Sequence, residues 1–72
     1  MKLHEAMCLV LKERNRPMTA KELADEINKR ILYVRKDREP VPPDQIGARA
    51  KNYPHLFEKR EIDGRKYFVL KV

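Results

Sequence analysis

The pair Asp63-Gly64 constrains the fold of this chain more than any other local feature. Asp-Gly is a preferred sequence for a two-residue type I′ turn, whose twist matches that of two antiparallel strands. An extended run that begins near residue 55 precedes the pair, and the aromatic and branched run Arg65–Val72 follows it. The turn therefore predicts a C-terminal β-hairpin in which Ile62 pairs with Arg65.

This register also predicts which side chains of the hairpin are buried. Successive residues of a strand point to opposite faces of a sheet. The apolar face contains Phe57, Phe68 and Leu70, and it is predicted to pack against the rest of the domain. Arg60 and Arg65 fall on the opposite face, which we expect to be exposed.

Two helices are delimited by prolines. Residues 3–14 carry apolar side chains at i, i+3, i+4, i+7 and i+8, and this helix is predicted to end before Pro17, because the residue before a proline avoids the α region. A later helix over residues 43–53 is predicted to begin at Pro43, since proline suits the first helical position. Pro54 follows the end of this helix.

A helix over residues 20–31 lies between these two. Thr19 and Glu22 have the spacing of a capping box, in which each side chain accepts a hydrogen bond from the backbone N–H of the other residue. Asp25 and Lys29 are four residues apart, and we expect an ion pair between them on the exposed side of the helix.

Three helices followed by a hairpin are the element order of a winged helix, an α+β fold. The helices over 20–31 and 43–53 then form the helix-turn-helix pair, and the hairpin is the wing. About 11 residues join the two helices, compared with 3–4 in the compact helix-turn-helix. The chain has 72 residues and no internal linker, so we expect residues 1–72 to form a single domain.

The positive charge of the chain is concentrated in its second half. The net charge is +6 and the isoelectric point is about 9.7. Residues 1–28 are neutral overall, whereas residues 29–38 and residues 49–72 each carry a net charge of +4. A clustered basic surface on a small domain is typical of nucleic-acid binding.

Several segments resemble one known family. These segments are Leu3-His4-Glu5-Ala6, Arg16–Ile27, Pro40–Arg49 and Tyr53–Phe57. They resemble the HARE-type helix-turn-helix domain, a winged helix found in ASX-like chromatin proteins and in bacterial restriction and DNA-processing proteins. The resemblance covers nearly the whole chain. It implies a role in DNA binding, as a module of a larger protein.

The candidate DNA contacts lie on three elements. On the third helix, Gln45 has the side chain to pair with adenine, and Arg49 has the side chain to pair with guanine or phosphate. The basic connection and the wing supply cations for phosphates. The full set is Arg35, Lys36, Arg38, Gln45, Arg49, Lys51, Asn52, Arg60, Arg65 and Lys66.

The sequence shows no pattern typical of an enzyme or a metal protein. Cys8 is the single cysteine, which excludes an internal disulfide and a multi-cysteine zinc site. His4 and Cys8 have metal-ligand spacing on a helix, but no third ligand accompanies them. The two glycines do not form a phosphate-binding loop. We therefore expect a non-catalytic domain without a metal or cofactor.

Two expectations concern the partner and the compartment. Double-stranded DNA is the expected partner. The alternative is a protein-interaction module within a restriction or chromatin assembly, with Leu9, Val34, Val41 and Ile62 as exposed apolar residues. No apolar run is long enough to span a membrane and no export signal is recognised, so we expect a cytoplasmic location, or a nuclear one in a eukaryote.

Overall fold

The computed structural model describes residues 1–71 and contains three helices followed by one antiparallel hairpin. This is the expected α+β winged helix, and each helix lies within one residue of its predicted bounds. Val72, which the predicted return strand included, lies outside the described residues. The elements are α1 (Leu3–Arg14), α2 (Ala20–Arg30), α3 (Pro43–Asn52), β1 (Phe57–Ile62) and β2 (Arg65–Leu70).

One apolar core joins the three helices to the hairpin. The described residues contribute no buried polar or charged side chain to it. As predicted, it unites residues from all of these elements: Leu11, Leu23, Ile27, Ile46, Phe57 and Phe68. None of the helices within residues 1–71 is long and apolar enough to cross a bilayer.

The start of α2 has the predicted capping box. The backbone N–H of Glu22 donates to Thr19 Oγ1 at 3.1 Å, and the backbone N–H of Thr19 donates to Glu22 Oε1 at 2.9 Å. The N–H of Thr19, followed by the guanidinium of Arg16, lowers the pKa of Glu22. The expected Asp25–Lys29 pair is wrong, because Asp25 pairs with Lys21, its neighbour on the preceding turn, at 3.3 Å.

The hairpin has the predicted register, with Ile62 opposite Arg65. Asp63 and Gly64 have φ angles of 52° and 78°, which are the positive values that a type I′ turn requires. Phe57 lies opposite Leu70 at the base of the hairpin. The turn chemistry therefore determined the strand pairing.

A backbone bridge ties the hairpin to the connection between α1 and α2. The N–H of Met18 donates to the carbonyl of Phe68 at 3.1 Å, and the N–H of Phe68 donates to the carbonyl of Met18 at 2.7 Å. Met18 is buried in the core. The sequence analysis did not predict this bridge, which fixes the hairpin against the helices.

The connection between α2 and α3 is held at both ends. The side chain of Asn28 bonds the backbone of Val41, which is only 2% exposed. The expectation that Val41 is exposed is therefore wrong. Val34, in contrast, is 58% exposed, as expected. Between them, the N–H of Arg38 donates to the carbonyl of Arg35 at 3.0 Å and closes a turn.

Candidate nucleic-acid interface

Ion pairs between α1 and α2 neutralise the cations of that side of the domain. The guanidinium of Arg30 donates to both carboxylate oxygens of Glu13, at 2.6 and 3.3 Å. Arg14 forms a second such pair with Glu26. Each arginine lowers the pKa of its carboxylate partner through these hydrogen bonds. Arg30, part of the basic run 29–38, therefore contributes little net charge to the surface.

Arg35 is also engaged within the protein. It is half-buried, forms an ion pair with Asp37 at 2.9 Å and donates to the carbonyl of Pro40 at 3.3 Å. This side chain stiffens the connection. Its neighbours Lys36 and Arg38 are exposed at the turn, and neither has an ion-pair partner within residues 1–71.

The most outward face of α3 carries small and charged residues. Ile46 and Ala50 form the buried face of the helix. At 3.6 residues per turn, the opposite stripe contains Asp44, Ala48 and Lys51, all of which are exposed. Only Asp44 and Lys51 in this stripe have polar side chains long enough to extend from the helix.

The other candidates on α3 lie on a neighbouring stripe. Gln45 and Arg49 are half-buried beside the core, and Asn52 at the end of the helix is exposed. Arg49 has no ion-pair partner among the described side chains, so its charge is uncompensated by a close contact. The helix thus presents two stripes, one bearing Lys51 and the other bearing Gln45, Arg49 and Asn52.

The hairpin divides its cations between two faces. Lys66 lies opposite Glu61 in the register, but no ion pair joins their side chains in the described part of the chain. Lys59, opposite Phe68, shares the face of Lys66. Arg60 and Arg65 lie on the other face, as predicted, and Arg60 pairs with Glu58 at 3.3 Å.

A groove of about 710 Å³ lies between α3 and the hairpin. It brings together Lys51 from α3 and Lys66 from β2, two of the predicted contacts. It also includes Lys59 from β1, which the sequence analysis did not select, although the predicted register places it on the face of Lys66. The remaining lining is mostly small or apolar: Ala20, Pro43, Asp44, Gly47, Ala48, Ala50, Pro54, Phe57 and Phe68.

Arg60 lines a different groove. This second groove, of about 540 Å³, runs between the hairpin and the end of α1, and Lys12 and Arg16 also line it. Arg60 and Lys66 are therefore not brought to one place. Arg65 is exposed next to the hairpin turn and lines neither groove.

The histidines and the cysteine do not form a metal site within residues 1–71, where no group of three potential metal ligands occurs. The ring of His4 stacks on that of Tyr53, with centroids 4.1 Å apart, and so joins α1 to the end of α3. Burial raises the pKa of the Cys8 thiol, which disfavours the reactive thiolate. These contacts are structural.

Comparison with protein-family models gives one match, which covers the three helices. The family model HARE-HTH, whose description names a helix-turn-helix domain of ASXL and restriction endonuclease proteins, matches residues 1–52. The chain belongs to the HARE-HTH family. No curated protein and no solved structure matches the chain.

The matched segment includes both helices of the HARE-HTH pair, α2 and α3, together with α1. The hairpin, over residues 57–70, follows the matched segment. It supplies Lys59 and Lys66, so the groove combines an element of the HARE-HTH match with one beyond it.

Proposed function

We propose that this HARE-HTH domain is a non-catalytic module that binds double-stranded DNA through α3, the Lys36–Arg38 turn and the hairpin. The helix-turn-helix family suggests DNA as the partner. The distribution of charge carries the proposal. Ion pairs with carboxylates occupy Arg14 and Arg30 on the side of α1 and α2, whereas exposed cations without such partners in residues 1–71 occupy α3 and the wing.

Each set of cations has a distinct proposed role. Lys51, Lys59 and Lys66 contact phosphates, because a lysine supplies a mobile point charge without a fixed hydrogen-bonding geometry. Lys36, Arg38 and Arg65 contact phosphates further along the duplex. Such contacts bind all sequences alike and weaken as salt is added.

Sequence preference is assigned to the second stripe of α3. Gln45 and Asn52 carry amides that suit the edge of adenine, and Arg49 carries a guanidinium that suits the edge of guanine. Arg35 keeps a supporting role, since its contacts with Asp37 and Pro40 hold the turn that carries Lys36.

Titration of a labelled duplex at several salt concentrations tests the proposal. Fluorescence anisotropy gives the affinity, and log K should fall linearly with log salt by about 0.9 per phosphate contacted. The double variant Lys59→Ala/Lys66→Ala should reduce this slope by about two. Arg30→Gln is the matched control: it removes a positive charge that Glu13 already neutralises, so the slope should be unchanged.

Two further results separate the proposed roles. Arg49→Ala should weaken binding by about 1–3 kcal/mol, and by different amounts on different duplexes. If no duplex binds at low salt, or if Arg30→Gln lowers the slope as much as the double lysine variant, the assignment of the DNA surface is wrong.

A further inference from the structure

The groove between α3 and the hairpin has a chemistry that a DNA backbone does not fully use. Its rim carries three lysines, but its walls are apolar. We infer that this groove binds an acidic peptide segment that carries one bulky apolar side chain. This inference goes beyond DNA binding, and the peptide contact itself does not depend on it.

The shape of the groove suits an anchoring side chain. Its volume of about 710 Å³ lies within the range of about 300–1,000 Å³ typical of ligand sites in proteins. Phe57 and Phe68 line it and are 5% and 6% exposed, so their rings belong to the core and present only an edge. Ala20 and Pro54 add apolar walls. A leucine-sized side chain would be removed from water here.

Gly47 keeps the groove open. A Cβ atom built on Gly47 meets nothing within 4 Å, and its backbone is ordinary helix. Packing within the protein therefore does not require glycine at this position, although glycine weakens the interior of a helix. Ala48 beside it is equally small. Any larger residue at position 47 would project into the space that the anchor occupies.

Charge determines the second property of the ligand. Lys51, Lys59 and Lys66 have no ion-pair partner among the residues that the structure describes, and Asp44 is the one carboxylate in the lining. The groove is therefore positive overall, with its negative group at the start of α3. Carboxylates of the peptide bind the lysines, and its apolar side chain enters between them.

The same three lysines are assigned to phosphates in the proposed DNA complex. An acidic segment in the groove therefore competes with duplex DNA. This competition rests on the proposed function, whereas direct binding of the peptide is measured without DNA.

The test uses a short blocked peptide of aspartates and glutamates with one central leucine, added to the ¹⁵N-labelled protein without DNA. Chemical-shift changes should map to Gly47, Ala48 and the amides of the three lysines. A matched peptide with serine in place of leucine should bind at least about tenfold more weakly, because it lacks the buried apolar group. A peptide with glutamine and asparagine in place of the acids should lose binding at low salt.

Protein variants separate the groove from general attraction between charges. Gly47→Leu fills the groove without a clash and should reduce affinity for the leucine peptide at least about tenfold, while the serine peptide is unaffected. Asn52→Ala, on the other stripe of α3, is the control and should bind normally. Equal binding of the leucine and serine peptides, or undiminished binding to Gly47→Leu, would overturn the inference.

Competition is then measured with the duplex already bound. Displacement of the duplex by the leucine peptide, but not by the serine peptide at the same concentration, supports the shared groove. If the duplex shifts the amides of the groove and the leucine peptide does not, the groove serves DNA alone and the inference fails. If the peptide binds and no duplex does, the inference stands and the proposed DNA function fails.

Discussion

The side-chain amide of Asn28 forms two hydrogen bonds with the backbone of Val41. Its Nδ2 donates to the carbonyl of Val41 at 3.0 Å, and its Oδ1 accepts from the N–H of Val41 at 2.9 Å. Asn28 lies on α2, and Val41 lies two residues before α3. One side chain thus replaces the short turn of a compact helix-turn-helix and sets where α3 begins.

Asn28→Ala should destabilise the domain by about 1–3 kcal/mol, because it leaves the partly buried N–H and carbonyl of Val41 without partners. In a domain of this size, the melting temperature should fall by several degrees or more. Circular dichroism measures this change, with Asn52→Ala, an exposed residue of α3, as the control. An unchanged melting temperature for Asn28→Ala would show that the two bonds are not needed to hold the connection.

Thr19→Ala should cost about 1 kcal/mol, because it removes the hydroxyl that accepts from the N–H of Glu22. Thr19→Ser retains a hydroxyl and should recover most of that stability. Denaturant unfolding of the three proteins measures the differences. Equal losses for alanine and serine would indicate that packing of the threonine methyl group matters more than the cap.

The carboxylates of Glu13, Glu22 and Glu26 have pKa values below the ordinary value, held there by hydrogen bonds from Arg30, Thr19 and Arg14 respectively. A carboxylate with a lowered pKa in the folded state stabilises the fold above its unfolded pKa, and this contribution is lost as the pH falls through the folded value. Stability should therefore decline below about pH 4.5. The fall should be shallower in Glu13→Gln/Glu26→Gln, as measured by melting temperature against pH.

The two glycines should respond oppositely to alanine. Gly64 has a φ of 78°, so Gly64→Ala places a side chain in the left-handed region and should cost about 1–2 kcal/mol. Gly47 is helical with open space beside it, so Gly47→Ala should stabilise the domain by about 0.4–1 kcal/mol. Thermal melts of both variants measure the signs. A loss of stability in Gly47→Ala would contradict the open groove.

The hairpin and the helix ends were predictable because they depend on residues close together in sequence. Asp63-Gly64 determines a register by its own turn geometry, and Thr19 with Glu22 forms a cap within one helical turn. The apolar spacing likewise placed Ile46 in the core.

The partners of the charged residues were not predictable in the same way. Arg30 reaches Glu13 only because α1 and α2 cross at that point, which the residue spacing within either helix does not reveal. The basic run 29–38 therefore overstated the charge that this segment presents. The groove also depends on packing, since it needs the placement of the hairpin beside α3. Its site residues stay a prediction.

The Met18–Phe68 bridge joins positions fifty residues apart, and α2, the long connection and α3 all lie within the loop that it closes. The three helices are thus only part of a cooperative unit that the last strand completes. A fragment ending at Asn52 would retain every helix, yet it would uncover Met18 and lose the rings of Phe57 and Phe68 from the interior. Such a fragment lacks the means to fold by itself, so the wing is as much a scaffold as a contact surface.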